Sequence, residues 1–116
     1  MQQQPDIQKQ IKEIINQIFE IEQKSSKLEG HSIQRNINRL KELFESGLSD
    51  TVSISYHNPI GEKYDETRTD CEASISGEST ENLVVIEVIK PIIRISQNGI
   101  THIVQKGIVV AESQKP

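Results

Sequence analysis

Two periods run along this chain. Up to about residue 48 the apolar residues recur at helical spacing, and from about residue 51 they alternate at strand spacing. In the first part Ile7, Ile11, Ile14, Ile18, Ile21 and Leu28 follow alternating steps of four and three, with Ser25 at the one polar seam position. That is a heptad seam over about three repeats. Asp6, directly after Pro5, is placed to cap the first turn, and Gly30 ends the pattern where glycine tolerates a left-handed backbone. Ser32 is the candidate N-cap of a second helix, whose seam Ile33, Ile37, Leu40 and Phe44 stops at Gly47. Residues 1–49 therefore read as a helical hairpin. Ile15 and Phe19 lie off the first seam and widen its apolar face beyond what one partner helix covers, which calls for a second partner. Two hairpins from two chains would close a four-helix bundle and make the residues of both seams, Ile7 to Ile21 and Ile33 to Phe44, a homodimer interface. In the other arrangement the first helix packs on the β half of its own chain.

Residues 50–116 alternate with period two. Val52, Ile54 and Tyr56 are interleaved with Ser53 and Ser55, and Cys71, Ala73 and Ile75 with Glu72, Ser74 and Ser76, as in half-buried strands. A denser run follows from Leu83 to Ile89, then Ile92 to Ile95 after Pro91, Ile100 to Val104, and Ile108 to Ala111. Asn98-Gly99 is the strongest hairpin signal, because both central positions of a type I′ turn need positive φ. Gly77 to Asn82 reads as a polar loop and Gly107 as a bulge or bend between the last two strands. The fold class is α+β: a helical hairpin followed by a mainly antiparallel β head of about six short strands.

Composition narrows the function. A chain of 116 residues has room for about one domain. With 34% hydrophobic residues, 3% aromatic and no Trp its core is limited, so it gains from a partner subunit. Thirteen basic residues are scattered among seventeen acidic ones, a net charge of −4, which argues against a nucleic-acid footprint. A single cysteine forms no internal disulfide framework, the N-terminus has no apolar signal core, and no apolar run approaches the ~20 residues of a membrane span. The expectation is a cytoplasmic protein that neither crosses a membrane nor binds nucleic acid.

The densest polar stretch is GEKYDETRTDCEAS, Gly61 to Ser74. It lacks the alternate oxygen ligands, central Gly and flanking helices of a calcium loop, and Cys71 has no His31, His57 or His102 at a short zinc-ligand spacing. No signature for a Cys and His nucleophile surrounds Cys71, whose alternation with Ala73 and Ile75 turns it inward. The isolated glycines make no phosphate-cradling loop. No enzyme, metal or cofactor is expected, and Asp, Thr and Arg of this stretch are read as outward-facing beside inward Tyr64 and Cys71. Ile100, Ile103, Ile108, Val109 and Val110 cannot all face one thin core, which leaves apolar surface for contact.

The order of features resembles the GrpE family, the nucleotide exchange factors of DnaK-type chaperones, over roughly residues 33 to 112. The family's Gly, aromatic, Asp and His-x-Ala pattern is met by Gly61, Tyr64, Asp65 and Cys71-Glu72-Ala73, with Cys71 in place of His. Its polar loop, Val-rich strand, turn and closing strand are met by Glu78 to Asn82, Val84 to Val88, Asn98-Gly99 and Ile108 to Ala111. Thr101 and Val104 stand about where the family carries Arg in its penultimate strand. The resemblance implies a homodimer whose β head binds the nucleotide-binding domain of a DnaK-type chaperone and speeds ADP release. It implies contacts from Asn98, Gly99, Thr101, His102 and Val110. The alternative is a dimeric adaptor of the same fold without exchange activity.

Overall fold

The computed structural model describes residues 7–25, 32–45 and 51–114. The expected caps at Asp6, Gly30 and Gly47, and seam residue Leu28, lie outside the described residues. Two helices, α1 (Ile7–Ser25) and α2 (Ser32–Glu45), precede seven strands: β1 (Val52–His57), β2 (Lys63–Tyr64), β3 (Cys71–Ser76), β4 (Leu83–Lys90), β5 (Ile92–Gln97), β6 (Ile100–Gln105) and β7 (Gly107–Ser113). The six expected strands are all there, and β2 is added. The class is α+β. Among the described residues no helix is long and apolar enough to cross a membrane.

The strands form two sheets. Sheet A has the order β1-β5-β6 and is antiparallel throughout; sheet B has the order β2-β4-β7-β3, with β3 parallel to β7 and the other pairs antiparallel. The chain leaves sheet B at Pro91, which has no N–H to continue a ladder. It returns at Gly107, whose N–H donates to the Asp70 carbonyl at 2.9 Å. Gly107 is required there by space: a Cβ would lie 3.0 Å from Ile92 Cγ1 and 3.1 Å from Cys71 Sγ. The expected bend at Gly107 is thus the point where β7 enters sheet B against the start of β3.

The helices cover one face of sheet A. Ile15, Ile18 and Phe19 of α1 and Ile37 of α2 form a core with Ile54, Tyr56 and Ile93, with Ile11, Phe44, Ile95 and Val104 at its margin. Ile15 and Phe19, which in sequence called for a second helical partner, are covered by the chain's own sheet. Among the proposed dimerisation residues, Ile18 and Ile37 are buried in this core and Ile11 and Phe44 are half-buried. Ile14, Ile21, Ile33 and Leu40 remain exposed, and Ile7 opens α1. Polar contacts at two places fix the helices to the sheet. The Asn16 and Gln105 amides donate to each other at 3.0 and 2.9 Å, and Gln105 Nε2 also donates to the Pro91 carbonyl at 2.9 Å. The Lys41 ammonium stands 4.9 Å from the Tyr56 ring centre while the Tyr56 hydroxyl donates to Glu22. Burial, and then the charge of Glu22, pushes the Tyr56 hydroxyl well above the ordinary phenol range.

A second core of Cys71, Val85, Ile92 and Val109 joins sheet B to the far side of β5. Sheet A is therefore held on both faces.

Candidate protein-interaction surface

The surface of interest is the β5–β6 hairpin. Its turn is the expected one: Asn98 has φ 54° and Gly99 φ 81°, the left-handed values a type I′ turn requires. The register then follows as Gln97↔Ile100, Ser96↔Thr101, Ile95↔His102 and Arg94↔Ile103, with an irregularity between Ile93 and Arg94. The Ser96 and Thr101 hydroxyls pair at 2.6 Å, and the Asn98 N–H donates to the Thr51 carbonyl at 3.0 Å, tying the turn to the start of β1. Ile93 and Ile95 point toward the helices, so Ile100 and His102 share that face but lie toward the turn, and Thr101 and Ile103 lie on the other face. All four are exposed, Ile100 to 60% and Ile103 to 39%.

Of the five proposed contact residues, the fold brings four together. Asn98, Gly99, Thr101 and His102 occupy the turn and the first half of β6, and all are exposed. Val110 does not join them. It sits half-buried on β7 of sheet B, between Ser74 of β3 and Glu87 of β4. Ile103, left among several apolar candidates by sequence, belongs with the four.

The GEKYDETRTDCEAS stretch lies elsewhere and needs correction. Asp65, Glu66, Thr67 and Thr69 are exposed, as expected, but Arg68 and Asp70 are not turned outward. Arg68 grips Asp70 through Nε and Nη2 at 2.8 and 3.1 Å, and its Nη2 also donates to Glu62 at 3.0 Å. Arg94 of β5 donates to the same Asp70 Oδ2 as Arg68 Nη2, at 3.2 Å, and His57 at the end of β1 pairs with Glu62. The chain of charges His57, Glu62, Arg68, Asp70, Arg94 thus links sheet A to the strand entering sheet B. The Arg68 hydrogen bonds hold the Asp70 carboxyl down to about 2, and Arg94 adds to the effect. Every side chain in this chain of charges has a charged partner, the pattern of a structural clasp. Cys71 beside it is buried, and that burial pushes its thiol up, with Arg68 opposing. A high thiol is poorly suited to nucleophilic work. Among the described residues no group of three or more His, Cys, Asp or Glu side chains is placed to hold a metal.

Two other surfaces were not legible in sequence. A groove of about 750 Å³ runs over the open end of the inner face of sheet B, with Tyr64, Ala73, Ile75 and Leu83 among its lining residues. Ile86 and Ile89 of β4 fall at its two register shifts and are exposed, and Ile60 is exposed just before the Gly61 and Glu62 backbone that hydrogen-bonds to Val85. Compared with protein-family models, curated proteins and solved structures, the chain matches none.

Proposed function

We propose that this protein is a partner-binding module of the GrpE-like kind, which engages the nucleotide-binding domain of a DnaK-type chaperone through the β5–β6 hairpin and promotes ADP release. The observation that carries the reading is the convergence of Asn98, Gly99, Thr101 and His102 on one exposed hairpin. Sheet A is buttressed by helices on one face and by the ion-paired Arg94 and buried Ile92 on the other. A rigid projecting hairpin loses little conformational freedom when it docks. The mechanism requires no reacting group in this chain. If the hairpin binds the opened, nucleotide-free chaperone more tightly than the closed one, linkage lowers the chaperone's affinity for ADP by the same factor. A coupling of ~3 kcal/mol would weaken ADP binding about 150-fold.

The test is release of a labelled ADP from the DnaK-type chaperones of the same organism. Acceleration by the wild-type protein, reduced tenfold or more by Asn98→Ala combined with His102→Ala, supports the reading. No acceleration with any of these chaperones sinks it. The adaptor reading draws on Thr101 and Val104, which offer no guanidinium at the places where the resemblance leads one to expect Arg. Chaperone binding without any change in ADP release would select the adaptor.

A further inference from the structure

We propose that β6 is also a self-association edge, on which two copies of this chain pair antiparallel about a two-fold axis at His102. The inference stands apart from the chaperone reading, since it uses only the geometry of sheet A. β6 is one of the two outer strands of that sheet, the other being β1. In a hairpin with a two-residue turn the pair next to the turn, Gln97↔Ile100, exchanges both backbone hydrogen bonds, and bonded pairs then alternate. The Asn98 N–H bond to Thr51, on the β1 side, fits that alternation. Ile100 and His102 therefore direct their backbone groups at β5, and Thr101 and Ile103 direct theirs away from the sheet.

These outward groups select a register. Setting Thr101 opposite Ile103 of a second copy, and Ile103 opposite its Thr101, makes both outward residues members of hydrogen-bonded pairs and produces four intermolecular bonds. His102 then faces the second copy's His102 in a non-bonded pair, and Ile100 faces Val104. Moving the second copy by two residues either way leaves one outward residue of each copy opposite Gly99 of the turn or opposite Gln105, whose backbone the irregularity at Val104 turns back toward β5 as the partner of Ile93. The side chains agree with the first register. Ile100, the most exposed large hydrophobic residue among the described residues, gains Val104 as a cross-strand neighbour, and Ile103 gains Thr101.

Edge strands of soluble proteins are commonly blunted by proline, lysine or an inward charge. From Ile100 to Gln105 β6 has no proline, acid, lysine or arginine, and Lys106 just past it pairs with Glu72 at 3.9 Å. No like charges of Asp, Glu, Lys or Arg oppose each other in the paired strand at neutral pH. Six residues per copy bury less than the roughly 1,200 Å² of a standard interface, so the dimer is a weak one, in the micromolar range or above.

Two variants test this in the full-length protein. Ile103→Pro removes an outward N–H without touching a bond to β5, which is the position on an edge strand where proline is tolerated. His102→Cys places one thiol of each copy across the axis, within the Cα separation that a disulfide needs. Sedimentation velocity from about 1 to 500 μM should show concentration-dependent dimerisation of the wild type and at least a tenfold weaker dimer for Ile103→Pro, with an unchanged circular dichroism spectrum. Mild oxidation should cross-link His102→Cys and leave a Thr101→Cys control largely monomeric. A wild type monomeric throughout overturns the proposal, as when the edge accepts only a foreign strand. So does a dimer that survives Ile103→Pro and shows no His102→Cys cross-link, because the exposed helix face would then hold the copies together.

Discussion

Ile14 and Ile15 are neighbours in sequence, yet truncating them should have very different effects. Ile15 has no exposed surface and stands between Phe19, Ile37 and sheet A, whereas Ile14 is 50% exposed on the outer side of α1. Ile15→Ala removes three buried carbons, about 2.4 kcal/mol of transfer free energy at ~0.8 kcal/mol each. The surrounding core includes strand residues and can collapse only in part, so a residual cavity of ~50 Å³ adds about 1.2 kcal/mol. Alanine's better helix propensity returns ~0.4 kcal/mol, leaving a loss of about 3 kcal/mol. For Ile14→Ala half the transfer term applies, there is no cavity, and the same propensity gain leaves under ~1 kcal/mol. With a urea dependence of about 1.5 kcal/mol/M, the midpoints should fall by roughly 2 M and by ~0.5 M or less. The assay is equilibrium unfolding in urea at about 1 μM protein, followed by circular dichroism, with the slope checked for constancy. A loss for Ile14→Ala equal to that for Ile15→Ala would refute the packing of α1 on its own sheet and restore the heptad seam as the main helical contact.

Other consequences are local. Gly107→Ala forces a Cβ against Ile92 and Cys71 at about 3 Å and should destabilise by ~1–3 kcal/mol, read as a melting temperature lower by several degrees. The Asp70 carboxyl titrates lower folded, about 2, than unfolded, ~3.9, so its stabilisation is present above about pH 4 and lost as pH falls toward 2. Asp70→Asn should lose about 2 kcal/mol at pH 7 and flatten the urea midpoint between pH 4 and 2; unaltered pH dependence would mean the Arg68 and Arg94 contacts do not hold. The buried Cys71 thiol should react with a disulfide reagent at pH 8 only as fast as the protein opens, and fast labelling of the native protein would contradict its burial.

The parts of the fold that were legible in sequence are those whose cause is local. Asn98-Gly99 announces its turn because both residues accept positive φ, and β1 announces its faces because Ser53 and Ser55 separate Ile54 from Tyr56. The heptad seam was less informative. Periodicity finds an apolar arc on a helix but not what covers it, and on α1 the arc is wide enough that its buried centre falls at Ile15 and Phe19 instead of midway between Ile14 and Ile18. Arg68 and Asp70 alternate like outward residues, and only the tertiary fold brings Glu62 and Arg94 to them. The run Leu83 to Ile89 is too uniformly apolar to show a face, so the two irregularities that expose Ile86 and Ile89 left no trace in it. Of the five proposed contact residues, four share the hairpin that the turn announces, and Val110 lies apart from them because nothing local says that β7 pairs with β3 and β4 in the other sheet.

The two uses proposed for the hairpin compete, and the competition has a measurable sign. Chaperone docking by the turn and first half of β6 would exclude a second copy from Thr101 and Ile103, since one edge accepts one strand. Activity per chain should then fall as the wild-type concentration passes the dissociation constant of self-pairing. Ile103→Pro keeps Asn98, Gly99, Thr101 and His102 in place, so it should relieve that fall when each protein is scaled to its own rate at low concentration. Stopped-flow ADP release across 1 to 500 μM would separate the cases. If Ile103→Pro instead lowers the rate at every concentration, the chaperone reads the outward backbone of β6 itself, and the hairpin docks by strand addition more than by its turn.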